Sequence, residues 1–297
     1  MKLSRPLFVL LLFTSVVCAK NKTNGPANGI ISADSVFKRS QFTYAHLKTY
    51  LDSGKIVQSY YNLDHPYKKA KLFKTAYVNT GDFNFEYYDI GSSSSLYTIN
   101  RTAGLVKSWW GVTNKIETPA KLTTPLSAAL GVSARSSTIV PALLLTTDFN
   151  EKSNIYHAIK NPVLNGEEIL NGITCYKISG TERDDSEVTI WIATTDFLIR
   201  KIQTDIVVDP ARARAIVKKV DSLMLAQHQN EPDFLKRDSI RKAKNKETED
   251  KITAISPNYK HSDAVFKVNT VYQFFPYTLK KNNPVLFSFR PNREISL

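Results

Sequence analysis

The spacing of apolar positions changes character several times along this chain. Leu7 to Val17 (LFVLLLFTSVV) is a largely apolar run of eleven residues preceded by Lys2 and Arg5. Such a run is short for a bilayer span, which takes about 20 residues, and suits the apolar region of a signal peptide. From Asp34 (DSVFKRSQFTYAHL), Val36, Phe37, Phe42 and Leu47 fall at helical spacing, and Ser32 or Asp34 can cap the helix they predict. From Thr49 the period falls towards two. Ile56 to Tyr61, Ala70 to Val78 and Asp82 to Ile90 read as strands. In the third, Phe83, Phe85 and Tyr87 alternate with Asn84, Glu86 and Tyr88. After a turn at Ser92 to Ser95, Leu96 to Asn100 and Leu105 to Trp110 continue the antiparallel series.

The alternation then stops. Thr123 to Val132 and Ser136 to Thr146 predict two short apolar helices, the first with Pro125 near its start. Strands resume near Val163 and continue through Ile173 to Gly180, Glu187 to Ala193 and Phe197 to Val208. Val188, Ile190 and Ile192 share one strand face and Trp191 takes the other. Residues 209–251 hold eleven basic and eight acidic residues and a helix candidate at Ala211 to Gln227. This stretch reads as a basic helical or loop insert. Ala264 to Tyr277 and Val285 to Phe289 return to strand patterning. The sum is a mainly β chain of about ten strands. A curled antiparallel sheet, half closed into a barrel, can take short apolar helices into its mouth.

Composition and chemistry narrow the picture. With 42% hydrophobic and 23% charged residues among 297, the chain can bury a core. Val17 and Ala19 are spaced as a signal-peptidase site, predicting a leader over 1–19 and a polar linker over 20–32. Cys18 leaves a second route open, lipidation as in bacterial lipoproteins. Two cysteines exclude a disulfide framework, and Cys175, on a strand, reads as core packing. The five histidines fall in no metal-binding spacing, and no GxSxG, Walker A or GxGxxG motif occurs. No catalytic constellation, cofactor or metal is therefore expected. The net charge of +13 is spread along the chain. With export, that argues against nucleic acid and for attraction to an anionic envelope surface. Lys68, Lys69, Lys71 and Lys74 are its densest cluster in the strand region.

Four stretches together resemble the LolA-like family of outer-membrane lipoprotein-sorting and periplasmic carrier proteins. They are the opening helix with Thr43 to Gly54 (TYAHLKTYLDSG), Asn165 to Gly180 (NGEEILNGITCYKISG), Val188 to Ile202 (VTIWIATTDFLIRKI), and the phenylalanines Phe287 and Phe289 before Pro291. The likeness spans most of a single domain over 33–297. It implies a half-open antiparallel β-barrel whose concave face is closed by short helices, in a protein of the bacterial periplasm or envelope. It also implies an acyl chain of a lipid or lipoprotein as ligand. Leu126, Leu130, Ile139, Leu143 and Leu144 would then line the cavity or its lid, with Trp109 or Trp110 at the rim. The alternative is the same fold filled by its own side chains, acting as a structural or partner-binding envelope protein.

Overall fold

The computed structural model describes residues 31–61, 66–90, 96–150, 153–182, 186–209, 265–277 and 284–290, with isolated positions between 215 and 246. The leader with Cys18, the linker up to residue 30 and most of the 209–251 insert lie outside the described residues.

The opening helix, α1 (Ala33–His46), begins as its sequence predicts. The Ser35 amide donates to the Ser32 hydroxyl at 3.2 Å, and the Ser32 amide donates to the Ser35 hydroxyl at 3.1 Å, which satisfies donors the helix cannot use itself. Ser32→Ala is expected to cost about 1 kcal/mol in urea unfolding, and an unchanged midpoint would refute the cap's contribution.

Among the described residues eleven strands follow: β1 (Thr49–Tyr61), β2 (Tyr67–Val78), β3 (Phe83–Asp89), β4 (Tyr97–Thr102), β5 (Leu105–Trp110), β6 (Lys115–Glu117), β7 (Lys160–Leu170), β8 (Ile173–Thr181), β9 (Glu187–Ala193), β10 (Ile199–Val208) and β11 (Phe266–Tyr277). They form one antiparallel sheet in the order β6-β5-β4-β3-β2-β1-β11-β10-β9-β8-β7. β6 and β7 are its two edges, so the sheet does not close. Two meanders meet where β1 pairs with β11, Ile56 opposite Tyr272. This is the mainly β, half-open architecture that the resemblance implied.

Period-two alternation separates two faces. One carries Ile56, Phe73, Phe85, Tyr87, Ile99, Ile190, Ile192, Ile202, Tyr272 and Phe274, all buried in one continuous core. α1 packs on this face. Its Ser40 hydroxyl bonds the Tyr156 hydroxyl at 2.6 Å, and Phe37 stacks on Tyr156 at 4.7 Å. The Ile199 amide donates to the Tyr44 hydroxyl at 3.1 Å, fixing the helix to the start of β10. The opposite face is more polar, but Trp191 is buried there beside Cys175 and Ala193. Lys201 Nζ stands 4.0 Å from the centre of its ring system. Cys175 is fully buried, and burial raises its thiol pKa, in keeping with a packing role.

The closing stretch differs from the strand its sequence predicts. Pro284–Phe287 is a short 3₁₀ helix. Pro284 has no amide hydrogen for a ladder. Phe287 instead buries against Leu51, Ala76 and Val78 on the polar face. Its carbonyl accepts from Asn100 Nδ2 and Thr102 Oγ1, both at 2.7 Å.

Candidate functional site

The core face is roofed by α2 (Thr123–Ala128), α3 (Ser136–Ile139) and α4 (Pro141–Leu144), with α5 (Ile155–Ala158) leading into β7. Both predicted helices are shorter than their apolar patterns. The second is split at Pro141, whose ring and missing amide hydrogen break the ladder. Helices of four to six residues have little stability of their own, so tertiary contacts must hold them.

Those contacts include core packing by Leu126, Ile139, Leu143 and Leu144 and several specific hydrogen bonds. Ser137 Oγ donates to the Leu126 carbonyl at 2.8 Å and joins α3 to α2. Tyr97 Oη donates to the Pro125 carbonyl at 3.4 Å. The turn between α2 and α3 reaches both halves of the sheet. Tyr272 Oη, on β11, donates to the Ala134 carbonyl at 2.7 Å. Lys71 Nζ, on β2, donates to the Val132 carbonyl at 3.2 Å and lies 5.0 Å from the Tyr87 ring centroid. Arg135 meets Glu182, at the end of β8, at 2.5 Å. Ala134 and Arg135 sit at φ of 45° and 70°, a left-handed backbone that non-glycine residues seldom adopt. The turn is thus a strained strap held by Lys71 of β2, Tyr272 of β11 and Glu182 just after β8. Neither Arg135 nor Glu182 stands out in sequence, because 47 residues separate them.

The residues expected to line a cavity divide. Leu126, Ile139, Leu143 and Leu144 are buried in the same core as the sheet aromatics. Leu130 is not turned inward: it is 43% exposed beside the strap, and Val132 is 38% exposed. The α2 helix ends at Ala128, before the turn that would bring Leu130 round. Trp109 and Trp110 face opposite ways, as adjacent strand residues must. Trp109 is buried on the polar face, its Nε1 donating to Asn114 Oδ1 at 3.1 Å. Trp110 lies at the roofed side, edge-on to Tyr97 at 6.4 Å and 38% exposed.

A second polar group lies on the core face where α1 meets β1. Tyr50 Oη donates to Asp52 Oδ2 at 2.7 Å. Asp52 Oδ1 and the hydroxyl of Thr75, its register partner on β2, have no hydrogen-bond partner among the described residues. Burial pushes the Asp52 carboxyl up to about 7, against a smaller lowering by the Tyr50 hydroxyl. Among the described residues, no three His, Cys, Asp or Glu side chains are grouped to hold a metal ion.

No protein-family model matches this chain, and no curated protein sequence does. Similarity appears only against solved structures. The lipoprotein LppX of Mycobacterium tuberculosis aligns over 58% of this chain and 86% of its own, with 11% identity and a TM-score of 0.33. A LolA superfamily protein of Nitrosomonas europaea aligns over 59% and 71%, with 11% identity and a TM-score of 0.25. A DUF1329 family protein of Desulfovibrio piger aligns over 86% and 97%, with 8% identity and a TM-score of 0.32. At these identities and scores the likeness carries no functional argument. The functional reading has to rest on this chain's own roof and sheet.

Proposed function

We propose that this is a bacterial-envelope protein that holds an acyl chain between the core face of its sheet and the helices α2 to α4. The observation that supports the reading is the roof itself. Three helices of four to six residues cover an aromatic sheet face. Lys71 of β2, Glu182 just after β8 and Tyr272 of β11 hold their strap down. An acyl chain in water costs about 0.8 kcal/mol for each CH₂ left exposed. A short-helix roof can lift by breaking few hydrogen bonds, whereas the sheet cannot open without losing ladders. Leu126, Leu143 and Leu144 would exchange contacts with the sheet for contacts with the ligand, and Trp110 and Leu130 would meet it at the rim. Envelope placement rests on the N-terminal pattern, with Cys18 as the site of a lipid anchor if one is present.

The burial of Leu126, Ile139, Leu143 and Leu144 in one continuous core favours a second reading. In it the concavity is filled for good, and the protein serves by docking another envelope protein. Native mass spectrometry of the mature protein, purified from its own envelope and then offered phospholipid or lipopeptide, separates the two. An added acyl mass is expected. Arg135→Ala should release a labelled acyl chain several-fold faster, because it removes one of the three strap contacts. A protein that never carries an acyl ligand overturns the carrier reading and leaves the filled fold.

A further inference from the structure

One end of the sheet collects exposed aromatic, aliphatic and lysine side chains that neither the core nor the roof uses. Four strands reach it. Register places Tyr60 opposite Tyr67, Ser59 opposite Lys68, Tyr61 opposite Lys267, and Lys267 opposite Val207. Tyr60 and Tyr67 stack at 4.4 Å, and Lys69 Nζ lies 5.5 Å from the Tyr67 ring centroid. Tyr61 is 44% exposed, Tyr67 42%, Val207 61% and Val265 49%. Lys68, Lys69 and Lys267 are exposed as well.

The lysine cluster noted in the sequence is divided by the strand. Lys71 is committed to the strap, and Lys74 lies over the Tyr88 ring at 5.7 Å. Lys68 and Lys69 belong instead to the exposed end. The acidic side chains at this end of β10 are Asp205 and Asp209, and Asp205 accepts from Asn269 Nδ2 at 2.8 Å.

We infer that this end of the sheet docks on the surface of an anionic bilayer. Tyrosine rings sit well at headgroup level, with the ring against acyl carbons and the hydroxyl in water. Valine side chains can enter the same layer, and lysine stems reach up from it to anionic headgroups. The geometry suits a plane better than a protein partner. The strands that build this end, β2, β1, β11 and β10, are all interior to the sheet. They therefore offer no free edge for strand addition. The inference stands apart from the acyl-chain reading, because it uses none of the strap's partners Lys71, Glu182 and Tyr272.

The test is vesicle flotation with the chain from Lys20 onward, which lacks Cys18, so that no lipid anchor contributes. Vesicles of phosphatidylglycerol mixed with phosphatidylcholine are compared with phosphatidylcholine alone. Binding is expected only to the anionic vesicles, weakening as salt rises. The double variant Lys68→Glu/Lys69→Glu should bind at least about 20-fold less tightly, since each lysine near such a surface is worth about fivefold. Tyr61→Ser/Tyr67→Ser should weaken binding several-fold at low salt, through lost ring contacts. Lys115→Glu/Lys121→Glu makes the same change of net charge far from this end and should leave binding nearly unchanged. Equal binding to neutral vesicles, no binding to anionic ones, or an equal loss in the distant variant overturns the inference. Thermal melts of the variants confirm that they fold, and retention of acyl mass reads out the roof separately.

Discussion

Gly54→Ala is expected to lower the unfolding free energy by about 2–3 kcal/mol, a large effect for one methyl group. Gly54 lies in the middle of β1 on the core face, opposite Phe73 of β2. A Cβ there would fall 1.9 Å from Phe73 Cζ and 2.2 Å from Cε1. The ring has little room to yield. It is 1% exposed, with Phe274 at 5.5 Å and Phe85 at 6.4 Å, centroid to centroid. Glycine in a strand interior is unfavourable by itself, and here an aromatic ring covers the space the missing side chain leaves. The double variant Gly54→Ala/Phe73→Leu should recover part of the loss. Urea unfolding of both single variants and the double variant gives the coupling. If Gly54→Ala melts like the parent, the ring does not occupy that space.

Asp52→Asn is expected to stabilise the protein at pH 7.5 and to flatten its stability against pH. The Asp52 carboxyl is raised from 3.8 to about 7 by burial. The folded state therefore binds this proton more tightly than the unfolded state does. Stability from this group is fully present below pH 4 and is lost as pH rises to about 7, because unfolding then lets the carboxyl ionise in water. A shift of this size corresponds to roughly 4 kcal/mol as an upper figure, at 1.36 kcal/mol per unit. Asparagine keeps the shape and can still accept from Tyr50, and it carries no charge to desolvate. Urea unfolding between pH 4 and pH 8 checks this. If the parent and the variant run parallel across that range, Asp52 is ionised in the folded protein.

Both effects lie on the face that carries the fold, and that face was largely legible in the sequence. The alternation of Phe83, Phe85 and Tyr87 with Asn84, Glu86 and Tyr88 assigned the sides of β3. The same logic placed Ile190 and Ile192 opposite Trp191. Ser32 and Asp34 were both legible as caps for α1, and the structure uses Ser32, whose hydroxyl accepts from the Ser35 amide. The failures have physical causes too. Val285 to Phe289 alternates like a strand, yet Pro284 and an open apolar patch over Leu51, Ala76 and Val78 favour a 3₁₀ turn. Leu130 continues the apolar run of α2, but α2 ends before it and leaves it in solvent.

What the sequence determined by itself was local: the strand periods and the start of α1. Each follows from interactions within a few residues, so neighbours along the chain suffice to read it. The tertiary structure decided the rest. It chose which strands are edges, split the lysine cluster between the strap and the sheet's end, and brought Arg135 to Glu182 and Tyr272 to Ala134. It also buried Asp52 beneath α1, where desolvation rather than chemical type sets its protonation. These depend on contacts between residues far apart in the chain, and only the closing of the two meanders along β1 and β11 brings them together.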